Sequence, residues 1–215
     1  IMSSDWSSDV CSSDLVPAIH QINNFLFNLY YELGEVENMT YEYNRLKDRI
    51  SKFESNYMKI LLDIADNKFS SAEKEINDFC SKNQNRDKHY IRYMAILEGE
   101  LAFARERYAV AAEKFRNAAA IGGEIYPEKV ENKYAISLGL DGKLDRAIEV
   151  FQKILTKNPN NPVSLLNISQ FYFEKGETLK ARFYLDHFLK LWENADEDSP
   201  MMEKAVELKN RMSEN

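Results

Sequence analysis

The sequence predicts an all-α chain built as a row of antiparallel helical hairpins, on three observations. Between Tyr134 and Leu189 one spacing of packing residues is stated twice, 34 residues apart: Gly142 is answered by Gly176, Ala147 by Ala181 and Leu155 by Leu189. Within the segments apolar residues recur with the α-helical period, as in the stripe Leu144, Ile148, Phe151, Ile154 and Leu155. Turn and cap residues fall between those stripes, where a helix must stop and its neighbour start.

Aligning every segment on the alanine slot gives Met39, Ala72, Ala111, Ala147 and Ala181, separated by 33, 39, 36 and 34 residues. The two longest intervals contain the polar stretch Ser81 to Lys88 and the pair Gly122 and Gly123, so each insertion lengthens a connection between hairpins. Five hairpins result, the first one degenerate. Leu33-Gly34, Gly142 and Gly176 supply left-handed helix ends, whereas Asp66-Asn67 and Glu106-Arg107 lack the glycine. Asn161-Pro162 and Ser199-Pro200 are cap and first-turn pairs that start helices. The second of them opens a last helix, about residues 199–213, with Lys204, Glu207, Lys209 and Arg211 interleaved among Met201, Met202, Ala205, Val206 and Leu208. One apolar and one charged side fit the cap that a helical stack needs at its end. The alanine slots mark places where helices approach so closely that a larger side chain would push the backbones apart. Met39 breaks that rule and predicts looser packing in the first hairpin.

Ala135, Gly142, Ala147, Phe151 and Pro159 in one unit, then Ser169, Gly176, Ala181, Leu185 and Phe188 in the next, resemble the tetratricopeptide repeat. The family pattern sets a small residue at position eight, glycine at the turn, alanine at position twenty, an aromatic four residues later and proline near the end. The resemblance is plainest over residues 128 to 195 and extends back to about residue 53. It implies a right-handed α-solenoid over residues 16–215, whose first helices line a concave groove. It also implies a non-catalytic scaffold that binds a protein or peptide. Positions two, five, nine, twelve and thirteen of the first helices then face the groove. Carried over, they give Gln21, Asn24, Asn28, Tyr31, Tyr57, Leu61, Tyr93, Ile96, Glu100, Phe103, Lys129, Asn132, Ile136, Leu166, Gln170 and Phe173, with Lys133 close by. Aromatic rings with amides suit an extended peptide, because they combine apolar contact with hydrogen bonding to its backbone. Members that clamp a chaperone's terminal carboxylate use lysine and asparagine where this chain has Tyr57 and Leu61, so that activity is not expected.

Residues 1–15 are expected to be foreign or disordered. Asp5 to Leu15 matches the translation of a common sequencing-adapter oligonucleotide, and Ile1 stands where an initiator methionine would, so the natural chain is expected to extend upstream. Without Asp5, Asp9 and Asp14 the 35 acidic side chains fall to 32 against 28 basic ones, and the net charge moves from −7 to −4. That balance argues against a nucleic-acid partner, which requires clustered cations. Cys80 is left as the one thiol, so nothing demands an oxidising compartment and the cytoplasm, in a bacterium with an A+T-rich genome, is favoured. The most apolar run, Ile19 to Leu33, is too short and too polar to cross a bilayer.

Catalytic and metal-binding motifs are missing from the sequence. His20, His89 and His187 lie in separate hairpins, and Cys80 has a helical packing position, so neither a metal nor a cofactor is expected. Asp196, Glu197 and Asp198 read as a solvated acidic loop, and the glycosylation triplets at Asn38 and Asn167 fall inside helices. Two readings compete with the scaffold. One makes the chain the ligand- or peptide-sensing part of a larger regulator whose effector module lies upstream. The other is self-association through apolar residues of the first hairpin, Phe25, Phe27 and Leu29, expected to be exposed.

Overall fold

In the computed structural model residues 25–82, 87–122, 127–194 and 199–214 are described, and every element among them is an α-helix. The chain divides into two compact units, Ile1–Lys82 and Asn83–Asn215. The division falls in the longest interval between alanine slots, where the sequence alone reads as one continuous array. Residues 1–15, Asn24 and the acidic loop Asp196 to Asp198 lie outside the described residues.

The first unit contains α1 (25–33), α2 (Val36–Leu46), α3 (Lys52–Ala65) and α4 (Phe69–Lys82). Ser51 starts α3 with a capping box: its hydroxyl accepts from the Glu54 amide, and the Glu54 carboxylate accepts from the Ser51 amide at 3.0 Å. Across the α3–α4 pair, buried Asp63 accepts from Lys59 at 2.5 Å and from Ser71 at 2.8 Å. Met39 is fully buried, so the slot in the first hairpin is filled rather than loose. Phe27 is likewise fully buried, which corrects the expected apolar patch: only Phe25 and Leu29 of that trio are exposed.

The second unit runs α5 (Lys88–Ala104), α6 (Tyr108–Ile121), α7 (Pro127–Leu140), α8 (Leu144–Lys157), α9 (Pro162–Glu174), α10 (Thr178–Leu191) and α11 (Pro200–Glu214). Each helix packs on its successor, and α7 also touches α9 as α9 touches α11, so first helices stack on first helices. Ala111, Ala147 and Ala181 are wholly buried, as is Ala135 at position eight. Ser169 occupies that place in the next hairpin and stays satisfied by donating to the Ala181 carbonyl at 2.7 Å. Two helix-interior glycines let aromatic rings sit against backbone. A Cβ on Gly99 would lie 2.8 Å from the Phe115 ring, and one on Gly139 would overlap the Phe171 ring. Ala205, Leu208 and Met212 bury one side of α11 while Glu203, Lys204, Glu207 and Lys209 remain exposed, as a capping helix requires.

One turn geometry joins the helices within all five hairpins. The residue five before each slot, Gly34, Asn67, Glu106, Gly142 or Gly176, has φ between 57° and 77°. The next amide then reaches back five residues: Glu35 to Tyr30, Lys68 to Asp63, Arg107 to Ala102, Lys143 to Leu138 and Glu177 to Tyr172, all at 2.8–2.9 Å. Asn67 and Glu106 therefore adopt the glycine conformation without being glycine. Asparagine tolerates it; glutamate carries a strain of about 1–2 kcal/mol. Glu106→Gly should raise the unfolding free energy by about 0.5 kcal/mol, since relief of strain exceeds the entropy that glycine adds to the unfolded chain. Gly142→Ala, whose Cβ would meet nothing, should lower it by about 1 kcal/mol. Urea titration followed by circular dichroism measures both, and a loss for Glu106→Gly would refute the strain.

Candidate functional site

The first helices α5, α7 and α9 carry the positions that the repeat register assigns to one face. Three local clusters form along them. On the α5 side, the Lys133 ammonium of α7 pairs with the buried Glu100 carboxylate at 3.1 Å and lies 5.4 Å from the centre of the Phe103 ring. Phe103 in turn meets Tyr108 edge-on, with 5.5 Å between centroids. A cation held between a carboxylate and a ring face is fixed in place, and the ring keeps part of its surface open. At the other end, the Arg211 guanidinium of α11 lies 5.3 Å from the Phe173 ring centre. Phe103 and Phe173 hold the same position-twelve place, each beneath a cation from the following first helix.

The middle cluster is a lock between hairpins. Asn132, 5% exposed, donates to the Asn161 side-chain carbonyl at 3.3 Å and accepts from the Ser164 hydroxyl at 2.7 Å. The Glu128 carboxylate accepts from Asn158 at 3.0 Å and Asn161 at 2.8 Å, while the Asn161 side chain also caps the Ser164 amide. These bonds tie the α8–α9 turn to α7. Sequence reasoning identified Asn161 as a cap and Asn132 as a groove residue, but the partnership of Glu128, Asn158 and Ser164 has no sequence signal beyond polarity at helix ends.

The expected groove residues therefore separate into two groups. Asn132 and Glu100 are buried, and their polar groups serve helix–helix contacts; Leu61 and Leu166 are core. Tyr93, Ile96, Phe103, Lys129, Ile136, Gln170 and Phe173 are half-buried in the second unit. Asn28, Tyr31 and Tyr57 are half-buried in the first unit, while Gln21 and Asn24 lie outside the described residues. Resolved shifts in proton affinity gather around the α9–α10 turn instead. Hydrogen bonds from Lys175 and Lys180 hold the Glu177 carboxyl below its ordinary value, and burial pushes the Tyr172 phenol up. Among the described residues no group of His, Cys, Asp and Glu could hold a metal ion, and no helix is long and apolar enough to cross a membrane. Asn161→Ala should lower the unfolding free energy by about 2–3 kcal/mol, because it deletes a cap and removes the acceptor of the buried Asn132 side-chain N–H. A loss no larger than that of an ordinary exposed cap, about 1 kcal/mol by urea titration, would show that the lock is not coupled.

The tetratricopeptide repeat family model matches residues 140–190. No curated protein sequence matches the chain. Among solved structures, a thermophilic tetratricopeptide protein of Thermus thermophilus superposes with a TM-score of 0.61 at 16% identity, covering 90% of this chain and 97% of that one. A tetratricopeptide repeat protein from Parabacteroides merdae gives 0.61 at 18% identity, covering 86% and 70%. Pseudomonas aeruginosa PilF gives 0.58 at 17% identity, covering 92% and 86%. The likeness to these structures is one of fold. Together with the turn and slot geometry it shows an all-α solenoid fold of the tetratricopeptide kind, within which residues 140–190 match the repeat family itself.

Proposed function

We propose that the protein is a non-catalytic scaffold that holds a peptide segment or protein partner in the groove lined by α5, α7 and α9. The observation that carries this reading is the pair of half-buried rings, Phe103 and Phe173, each fixed under a cation of the next first helix. The repeat register assigns Lys129, Ile136 and Gln170, which are also half-buried, to the same face. Such a face offers apolar area, a cation and an amide, the combination that an extended peptide's side chains and backbone can use together. Preset side chains lose little rotamer freedom on binding, which favours a rigid face over an adaptable one.

The test is affinity capture from the source organism with the intact chain, with Phe103→Ala plus Phe173→Ala, and with a control substituted on exposed Lys153 of α8. A partner retained by the intact chain and the control should be lost by the double variant, with affinity down at least tenfold, about 1.4 kcal/mol, in a direct titration. Undiminished binding of every captured partner by a folded double variant would move the working surface elsewhere.

A further inference from the structure

In the second helix of each hairpin the residues two before and two after the alanine slot point outward. Glu37 and Tyr41 flank Met39, Ser70 and Lys74 flank Ala72, Ala109 and Glu113 flank Ala111, and Asp145 and Glu149 flank Ala147, all of them exposed. Around Ala181 the same two places hold Leu179 and Phe183, 86% and 67% exposed. Three of the other four hairpins carry no large apolar residue there and the first carries a single tyrosine, so stacking does not require a leucine and a phenylalanine together. A leucine and a phenylalanine four residues apart make one apolar ridge on a helix. Exposed Arg182, Asp186 and Lys190 continue it.

We propose that this outer stripe of α10 joins two copies of the chain about a two-fold axis, each α10 lying antiparallel to the other. The charges choose this occupant. In antiparallel packing about an axis at Tyr184, residues equally distant from it on opposite sides face one another. Arg182 and Asp186 lie two residues to either side. Arg182 therefore meets Asp186 of the second copy, and the symmetry forms the pair twice. Arg182 and Asp186 are four residues apart and share one flank of the helix, and the axis keeps that flank on the same side in both copies. Parallel packing would instead set Arg182 beside Arg182 and Asp186 beside Asp186. Alternating signs along the stripe also do not suit an anionic membrane surface, which selects clustered cations. The Arg182 guanidinium is steadied by donation to the Met212 carbonyl at 2.9 Å, leaving further donors to face outward. Leu179 and Phe183 are removed from water between the helices.

A single helix face is smaller than a standard stable interface, so the expected association is weak, with Kd about 10–100 µM. Sedimentation velocity of the full chain across about 1–300 µM, a range that brackets such a Kd, should show the average mass rising toward the dimer. Phe183→Glu should abolish the rise, as should Leu179→Ser plus Phe183→Ser, with helicity and melting temperature kept because both sites are exposed. Arg182→Asp or Asp186→Arg alone should weaken association at least tenfold, and the two together should return it to within about threefold of the unaltered chain. A chain that stays monomeric throughout, whether or not it binds vesicles or another protein, overturns the proposal. So does a dimer that survives Phe183→Glu, or an exchanged pair no better than either single change.

Discussion

The fold depends on how closely helix backbones can approach where hairpins cross. Ala72, Ala111, Ala147 and Ala181 are wholly buried at those crossings, and the neighbouring helices close over them. Where a crossing residue is polar it is satisfied locally, as Ser169 is by the Ala181 carbonyl. Where a ring must enter, the facing helix gives up its side chain: Phe115 rests on Gly99 and Phe171 on Gly139. Stability in such a stack comes from many short contacts between neighbours rather than from one central core. The turn geometry serves the same end, because a fixed reversal after each first helix delivers the next alanine to the same depth.

That constraint also sorts side chains into those that hold the stack and those left for other work. Asn132, Asn161, Ser164 and Glu128 bind one hairpin to the next, and Glu100 with Lys133 bridges α5 and α7. Among what the stack does not consume are half-buried rings and polar groups on the first helices, and the outer ridge of α10. The two surfaces lie on different helices, so a chain could join a second copy through one while holding a partner on the other.

Much of the fold was legible because small residues have few other reasons to recur at fixed spacing. The alanines gave the register, and Gly142, Gly176 and Gly34 gave the reversals. Asn67 and Glu106 hid the same turn, since a side chain with a Cβ does not announce a left-handed backbone. Met39 suggested a loose slot because sequence shows size but not the space that neighbours leave for it. The candidate face was read less well for a related reason. Helical position says which way Asn132 and Glu100 start out, but not that Ser164 or Lys133 of another helix comes to meet them. Gly139 passed unremarked, since a lone glycine near a helix end looks like a stop signal and not like the seat of a phenylalanine thirty-two residues away.

The close approach is tested most directly by the sign of one substitution. In an unobstructed helix Gly→Ala stabilises by about 0.5–1 kcal/mol. At Gly139 the added methyl would enter the space of the buried Phe171 ring, so Gly139→Ala should instead lower the unfolding free energy by about 1–3 kcal/mol. A double-mutant cycle with Phe171→Leu, followed by urea titration, should recover most of that loss. Stabilisation by Gly139→Ala alone, with Phe171 in place, would contradict the account.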